Sequence, residues 1–461
     1  MSLPRVLIAG LRGGSGKTVL AVGLTAALRR RGLRVAPFKK GPDYIDAAWL
    51  SMAAERPCRN LDLFLMSPQA AVQSFAAAAE TADLALIEGN RGLFDGMDSQ
   101  GTYSTAELAK LIGAPTILAV DCTKATRTVA AHVLGCQRLD PEVPLRGVIL
   151  NRTAGPRHES VVRGAVEAVC GLPVLGAVGR IDKPLFSERH LGLVPPQEHV
   201  ERTAAVAQVA DVAERHLDLE AILETARQAP AREFAARAPT AEHPPTPERA
   251  RVGVFRDAAF QFYYPENLEA LGREGARLVE VSPLRDAELP DVDGLYIGGG
   301  FPETLAPRLA ENRPFLDSVR RAIENGLPVY AECGGAVFLG KKLLFEGNEY
   351  AMAGVLPVIF GFGKKPHGHG YAVLETVGDN PFYPVGESVR GHEFHYTFVQ
   401  SPTAEDLRFA FRVRRGHGFD GEHDGLCRGS VLACYTHVHA LGTVGWAASV
   451  VRAAARYRTG G

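Results

Sequence analysis

Val6-Leu7-Ile8-Ala9-Gly10-Leu11-Arg12-Gly13-Gly14-Ser15-Gly16-Lys17-Thr18 decides how the first half of this chain folds. Val6 to Gly10 reads as a buried strand. Gly13 to Thr18 is a glycine loop ending in Gly-Lys-Thr, and Val19 to Arg31 reads as a helix with basic residues at its end, where they complement the helix dipole. Strand, loop and helix in this order suit a nucleotide phosphate site, because glycines let backbone N–H groups close around phosphate oxygens at a helix N-terminus. Gly13, Gly14, Ser15 and Gly16 form the expected cradle. Lys17 is expected to reach the β- and γ-phosphates of ATP, and the Thr18 hydroxyl to ligate Mg2+.

Working outward, the common form of such a loop has a glycine at the position of Leu11, whereas here the nearest is Gly10. That departure resembles the variant loops of dethiobiotin synthetase and the chromosome-partitioning ATPases. The next strand, Arg34 to Phe38, runs into Lys39-Lys40-Gly41-Pro42-Asp43-Tyr44-Ile45-Asp46, where open α/β sheets place their ligands. Asp43 and Asp46 are candidates to hold Mg2+ or a polar substrate edge. Asp83 to Gly89 is an apolar strand ending in an acid, which makes Glu88 a metal ligand or water positioner. Strands follow at Pro115 to Asp121, Leu145 to Leu150 and Val174 to Val178. The fifth ends in Asn151-Arg152, which resembles a base-recognition position. Strands alternating with helical stretches predict a mostly parallel sheet. An alanine-rich helix, about Thr203 to Arg227, closes this part. Gln228 to Arg249 shifts to Ala, Pro, Glu and Arg without periodicity and reads as a linker. The expected division is residues 1–227, a linker at 228–249, and residues 250–461.

The second half opens with the strand Arg251 to Phe255 and an aromatic loop, Asp257 to Asn267. Strands are expected at Arg277 to Val281 and Leu295 to Gly298. Leu327 to Tyr330 leads into Ala331-Glu332-Cys333-Gly334-Gly335, a sharp turn that lifts a nucleophile out of a sheet and frees N–H groups for an oxyanion. Gly298-Gly299-Gly300 brings a second N–H, so Gly299 and Gly334 are the candidate oxyanion donors. Cys434-Tyr435-Thr436-His437-Val438-His439 supplies a base at His437. Cysteine, glycine-lined hole and histidine together describe acyl transfer from an amide. Arg390 to Tyr396 alternates as a half-buried strand does. Lys364 to Gly370 reads as a mobile loop. The late histidines, His367, His369, His392, His395, His437 and His439, match no zinc spacing.

The totals narrow the classes. With 461 residues, two or three full cores are affordable; 46% apolar and 22% charged residues are ordinary for globular protein. A net charge of -1 gives no bulk attraction to nucleic acid or anionic membrane. The seven cysteines show no CxxC pairing and read as reduced thiols. No signal peptide or spanning segment is visible, so a cytoplasmic protein acting on small molecules is expected. A homodimer is one assembly the sequence permits.

Taken together, the motifs resemble the cobyrinate a,c-diamide synthase family over nearly the whole chain. The resemblance rests on the variant loop, Lys40 to Asp46, Asn60-Leu61-Asp62, Glu88-Gly89 with Gly92-Leu93-Phe94-Asp95-Gly96, and Arg189-His190-Leu191-Gly192. In the second half it rests on Phe262 to Asn267, Gly298 to Glu303, Ala331 to Gly335, Arg390 to Tyr396 and His437-Val438-His439. It implies a dethiobiotin-synthetase-like ATP domain followed by a class I glutamine amidotransferase domain. It further implies that Cys333 attacks glutamine, with His437 as base. His439 stands where many class I enzymes carry a glutamate, so what orients His437 is open. In the first domain the implied step is phosphorylation of a substrate carboxylate by ATP and displacement of phosphate by ammonia. Lys17, Thr18 and Glu88 serve the phosphoryl group, Asn151 the nucleotide, and Lys40, Asp43, Tyr44 and Asp46 the acceptor. The implied acceptor is a polycarboxylate tetrapyrrole, cobyrinate first, with sirohaem or another sirohydrochlorin derivative as the alternative. A basic rim from Lys39, Lys40, Arg390 and Lys364-Lys365 is expected by charge. Ala47-Ala48-Trp49-Leu50-Ser51 departs from the pattern expected beside that acceptor. A partitioning-type switch ATPase is the remote alternative. Cys333 with His437 argues against it, as does Arg12 where that group carries a signature lysine.

Overall fold

The computed structural model describes residues 3–181, 186, 188–189, 192–199, 201–232, 247–402 and 407–460. The chain divides into two compact units, residues 1–63 with 67–241 and residues 64–66 with 242–461. Most of the expected linker, 233–246, lies outside the described residues, as do His190 and Leu191.

The first unit is built on seven strands: β1 (Arg5–Gly10), β2 (Val35–Lys40), β3 (Arg59–Leu61), β4 (Leu84–Glu88), β5 (Thr116–Asp121), β6 (Leu145–Thr153) and β7 (Val174–Gly179). They form one sheet in the order β3-β2-β4-β1-β5-β6-β7, and every pairing is parallel. Helices on both faces hide the sheet, which is why β1, β2 and β4 read as continuous apolar runs rather than alternating ones. The switch in strand order falls between β4, β1 and β5. The C-terminal ends of β1, β2 and β4 therefore open onto one crevice, where the Gly10, Lys40 and Glu88 ends meet. A two-residue ladder, β8 (Glu188–Arg189) with β9 (Gly192–Leu193), follows. The single alanine-rich helix expected before the linker is two helices, Arg202–His216 and Leu219–Arg227. Leu217 is extended and the Asp218 carboxylate accepts the Ala221 N–H, so an N-cap restarts the helix where the alanine composition alone gives no break.

The second unit carries β10 (Ala250–Phe255), β11 (Ala276–Val281), β12 (Gly294–Ile297), β13 (Val329–Glu332), β14 (Lys342–Phe345), β15 (Asn348–Ala351) and β16 (Val358–Phe362). It continues with β17 (Gly368–Thr376), β18 (Ser388–His395), β19 (Thr397–Pro402), β20 (Arg408–Arg415), β21 (His423–Arg428), β22 (Val431–Cys434) and β23 (His437–Val438). Ten of them make one sheet, β11-β10-β12-β13-β22-β21-β20-β17-β18-β23. Its first five strands are parallel and the rest antiparallel. A second sheet runs β15-β14-β16-β19. Gly368 to Gly370, expected in a loop, opens β17 opposite β18, because His369 and Phe394 face each other across the ladder. Alternation along β12 and β13 sends Ile297, Val329 and Ala331 into one core and Tyr296 and Tyr330 into another under the helix Trp446–Arg458. Among the described residues no helix is long and apolar enough to cross a membrane.

Candidate active sites

In the first unit the glycine loop joins β1 to the helix Lys17–Arg30. Gly14 and Gly16 sit at φ 72° and 85°, left-handed conformations that a side chain would strain. The Ser15 hydroxyl donates to the Arg12 carbonyl at 2.9 Å, and the Lys17 ammonium donates to the same oxygen at 3.1 Å. Burial, followed by the neighbouring Lys39 charge, lowers the Lys17 pKa. Asn151, at the end of β6, donates its amide to the Ser15 carbonyl at 2.9 Å and accepts the Arg152 N–H at 3.0 Å. Its side chain therefore braces the loop from outside.

The ends of β2 and β4 supply the charge. The Lys39 ammonium donates to Asp46 at 2.6 Å, Glu88 at 2.9 Å and the Gly89 carbonyl at 3.3 Å. Thr18 donates its hydroxyl to Glu88 at 2.7 Å. Asp43 caps the helix Tyr44–Ala54 by accepting the Asp46 N–H, and Asn60 fastens the turn by donating to the Gly41 and Asp43 carbonyls. Burial, then the Asp46 charge, pushes Asp43 up to about 6. Burial, only partly countered by Lys39, pushes Glu88 up to about 7. Burial opposes the Lys39 charge, but Asp46 and Glu88 more than offset it and keep the ammonium protonated.

One expectation changes here. Lys39 and Lys40 form no basic rim. They are 1% and 4% exposed, because strand β2 turns both into acid-lined interior, Lys40 facing the charge of the fully buried Asp62. The departure at Ala47 to Ser51 is a packing feature. Trp49 is fully buried, lies 4.4 Å from the Phe186 ring and donates its indole N–H to the Val194 carbonyl. Arg390 and Lys364-Lys365 remain exposed, with the Arg390 guanidinium 5.6 Å over the Phe64 ring.

Asp43, Asp46 and Glu88 gather their carboxyl groups around Lys39 at these strand ends. Glu88 also holds one buried carboxylate oxygen, Oε2, without a hydrogen-bond partner. Hard oxygen donors from Thr18 and Glu88 among these groups fit a Mg2+ ion bound jointly with phosphate oxygens.

In the second unit β13 ends at Glu332, and Cys333 forms the turn into the helix Gly334–Leu339. Cys333 sits at φ 48° and ψ −103°, a strained conformation for a residue bearing a Cβ. Its own N–H is taken by the Cys434 carbonyl at 2.7 Å. The oxyanion donors must therefore come from its neighbours. A Cβ on Gly334 would stand 3.2 Å from the Gly300 nitrogen, and one on Gly299 would stand 2.5 Å from the His437 ring. The structure thus gathers Gly299, Gly300, Gly334, Cys333 and His437 at one point.

His437 is buried and bonded to Cys333. Burial lowers its pKa, but hydrogen bonds to Cys333 and then Glu332 more than reverse this and raise it to about 10. Its Nδ1 lies 3.2 Å from Glu332 Oε2. His392 stacks on it at 5.1 Å and is itself held neutral, first by burial and then by the His437 charge. Asp424 accepts the Tyr435 and Thr436 N–H groups at 2.9 and 3.1 Å, pinning the link that carries His437. His439 faces Glu266 at 3.7 Å instead of serving His437. Sequence reasoning missed Glu332 and Asp424. Glu332 did carry a signal, as an acid closing an otherwise apolar strand.

Comparison with known proteins gives two matching family descriptions, a CobQ/CobB/MinD/ParA nucleotide binding domain over residues 6–190 and a CobB/CobQ-like glutamine amidotransferase domain over residues 251–444. The chain is 46% identical to a cobyrinate a,c-diamide synthase of Magnetococcus marinus, covering 98% of this chain and 97% of that one. It is 40% identical to one of Archaeoglobus fulgidus, covering 96% and 95%, and 38% identical to one of Listeria monocytogenes, covering 94% and 96%.

Proposed function

The chain belongs to the cobyrinate a,c-diamide synthase family and is a glutamine-hydrolysing amidating ligase, and from that premise we propose that it amidates the a and c acetate carboxylates of cobyrinate with ammonia from glutamine, at the expense of ATP. The observation that carries this reading is the pairing, in one chain, of a Cys333–His437 elbow with a phosphate loop facing buried acids.

In the second unit Cys333, as thiolate, attacks the side-chain amide carbon of glutamine. Glycine N–H groups at Gly299 and Gly334 receive the oxyanion. His437 gives its proton to the departing nitrogen, which leaves as ammonia, and the thioester is then cleaved by water to glutamate. In the first unit a carboxylate at neutral pH has no usable leaving group. Transfer of the γ-phosphoryl group to an acceptor oxygen makes an acyl phosphate, and ammonia displaces phosphate to leave the amide. Lys17 leaves the Arg12 carbonyl to meet the phosphates. Asn151 holds the loop and the adjoining nucleotide edge. Thr18 and Glu88, with Asp43 beside them, would hold Mg2+, which neutralises phosphate charge during transfer. Asp43, Tyr44 and Asp46 would meet the acceptor, with Lys40 buried behind them against Asp62.

The test is a mass-resolved amidation assay with ATP, Mg2+ and glutamine, offering cobyrinate, hydrogenobyrinate, sirohaem and nickel sirohydrochlorin in turn. Two amides added to cobyrinate alone are expected. Amidation of sirohaem in preference would move the substrate and keep the chemistry; ATP hydrolysis with no amide on any acceptor would overturn the reading.

A further inference from the structure

We propose that Glu332 is the positioning residue of the glutaminase pair, holding Nδ1 of His437 so that Nε2 is the nitrogen presented to the Cys333 sulfur. The proposal rests on the reading of Cys333 and His437 as that pair.

A histidine that works as base and then as acid needs a group fixing its tautomer and ring orientation. The residue two places on, His439, does not do this, since its ring is turned to Glu266. Glu332 does have the geometry. A carboxylate accepts and does not donate, so the 3.2 Å contact to His437 Nδ1 places the ring proton on that nitrogen. The carboxylate is itself fixed. Its Oε1 accepts the Val438 N–H at 3.2 Å, and its Oε2 also accepts the Tyr296 hydroxyl at 3.3 Å. Tyr296 in turn accepts the Asn267 amide at 3.2 Å. Asn267 also donates to the Val438 carbonyl and accepts the Ala440 N–H, at 2.9 and 2.7 Å. Glu332, Asn267 and Tyr296 are all fully buried. A chain of buried groups thus ties β13, β12, the helix Pro265–Arg273 and β23 around one imidazole.

Two other buried acids of this unit are engaged elsewhere, Glu393 with the His417 and Gly418 N–H groups and Asp424 with those of Tyr435 and Thr436. Among the described residues, titratable groups facing His437 include Cys333 at the elbow, Glu332 at the end of β13 and the neutral His392 from β18. Of these three, Glu332 favours the imidazolium form without also being the nucleophile. Removing its charge therefore lets the imidazolium lose its proton at lower pH.

Glu332→Gln keeps the size and the Val438 contact while removing the charge. Expected is a fall in glutaminase kcat of about 100- to 1,000-fold, within the range that general acid–base groups contribute. The KM for glutamine stays near that of the parent, and the alkaline limb of the pH–rate profile moves to lower pH. Alkylation of Cys333 by iodoacetamide shifts its pH dependence too. Glu332→Asp recovers part of the rate. Urea unfolding followed through Trp446 in a Trp49→Phe background, with a midpoint near that of the same background without the Glu332 change, shows that the second unit of the variants is folded. Parent-like kcat and pH profile in Glu332→Gln would overturn the proposal, as would a lower kcat with neither pH dependence shifted, since that marks a structural role. Retained glutaminase in Cys333→Ser would instead sink the reading of the pair itself.

Discussion

Lys39 shows how much one buried charge decides. Its ammonium touches two carboxylates and is 1% exposed. Removing one member of a buried ion pair leaves the other charges uncompensated, so Lys39→Met should cost the first unit about 3–5 kcal/mol. The two tryptophans, Trp49 and Trp446, fall one to each unit. Urea unfolding of a Trp446→Phe background therefore reads the first unit through Trp49. The pH dependence follows from Asp43 and Glu88, held at about 6 and about 7 against unfolded values of about 4. A raised carboxylate means that the native state binds more protons than the unfolded one between these limits. Its stabilising contribution is present below about pH 4 and is lost as pH rises through about 7. The Lys39→Met deficit should accordingly be smaller near pH 5 than near pH 8, where the acids are all charged. An equal deficit at both would show that the lysine does not neutralise them. The sequence marks Lys39 as a strand-end cation and so as surface. It cannot show that Asp46 and Glu88, seven and forty-nine residues away, bury it.

The elements were more legible than the contacts they make. Continuous apolar runs between glycine turns predict β1, β2, β4 and β10 to within a few residues, because strands covered on both faces need no alternation to be recognised. The same pattern, an apolar strand closed by a fully buried acid, is seen in β4 with Glu88 and in β13 with Glu332. Both acids carry a role in the proposed scheme. The second instance is hidden because a strand sends residues 332 and 333 to opposite faces, and only the strained turn at Cys333 returns both to one histidine. That turn depends on close packing of the helix Gly334–Leu339 against β12. A Cβ on Gly335 would meet the Ile297 carbonyl oxygen at 2.5 Å, a backbone atom that cannot rotate aside. Gly335→Ala should therefore destabilise the second unit by about 1–3 kcal/mol, as overpacking does, and abolish glutaminase by displacing Cys333. Trp446 fluorescence in a Trp49→Phe background measures the first effect. Gly272→Ala, with no atom near its Cβ position, is the control and should leave both readings close to the parent. If Gly335→Ala behaves like Gly272→Ala, the elbow does not need that close approach.

At the scale of the molecule, the chain holds two compact units, and the proposed function assigns a separate chemistry to each. The phosphate loop with Lys39, Asp46 and Glu88 lies within the first unit, and Cys333, His437 and Glu332 lie within the second. The only compound the proposed scheme passes from one chemistry to the other is ammonia, and ammonia can be supplied from solution. Cys333→Ser should therefore lose glutamine-dependent amidation while keeping ammonia-supported amidation near the parent rate at saturating ammonium. Lys17→Ala should lose amidation from either nitrogen source, because it removes the cation that meets the phosphates, yet keep measurable glutaminase. Glutamate release and amide formation, followed in the same reaction, distinguish the two patterns. If Cys333→Ser lost both activities while Trp49 still reported a folded first unit, the two sites would be coupled beyond the exchange of ammonia. If Lys17→Ala still made amide, phosphoryl transfer would have to be assigned to residues other than the loop.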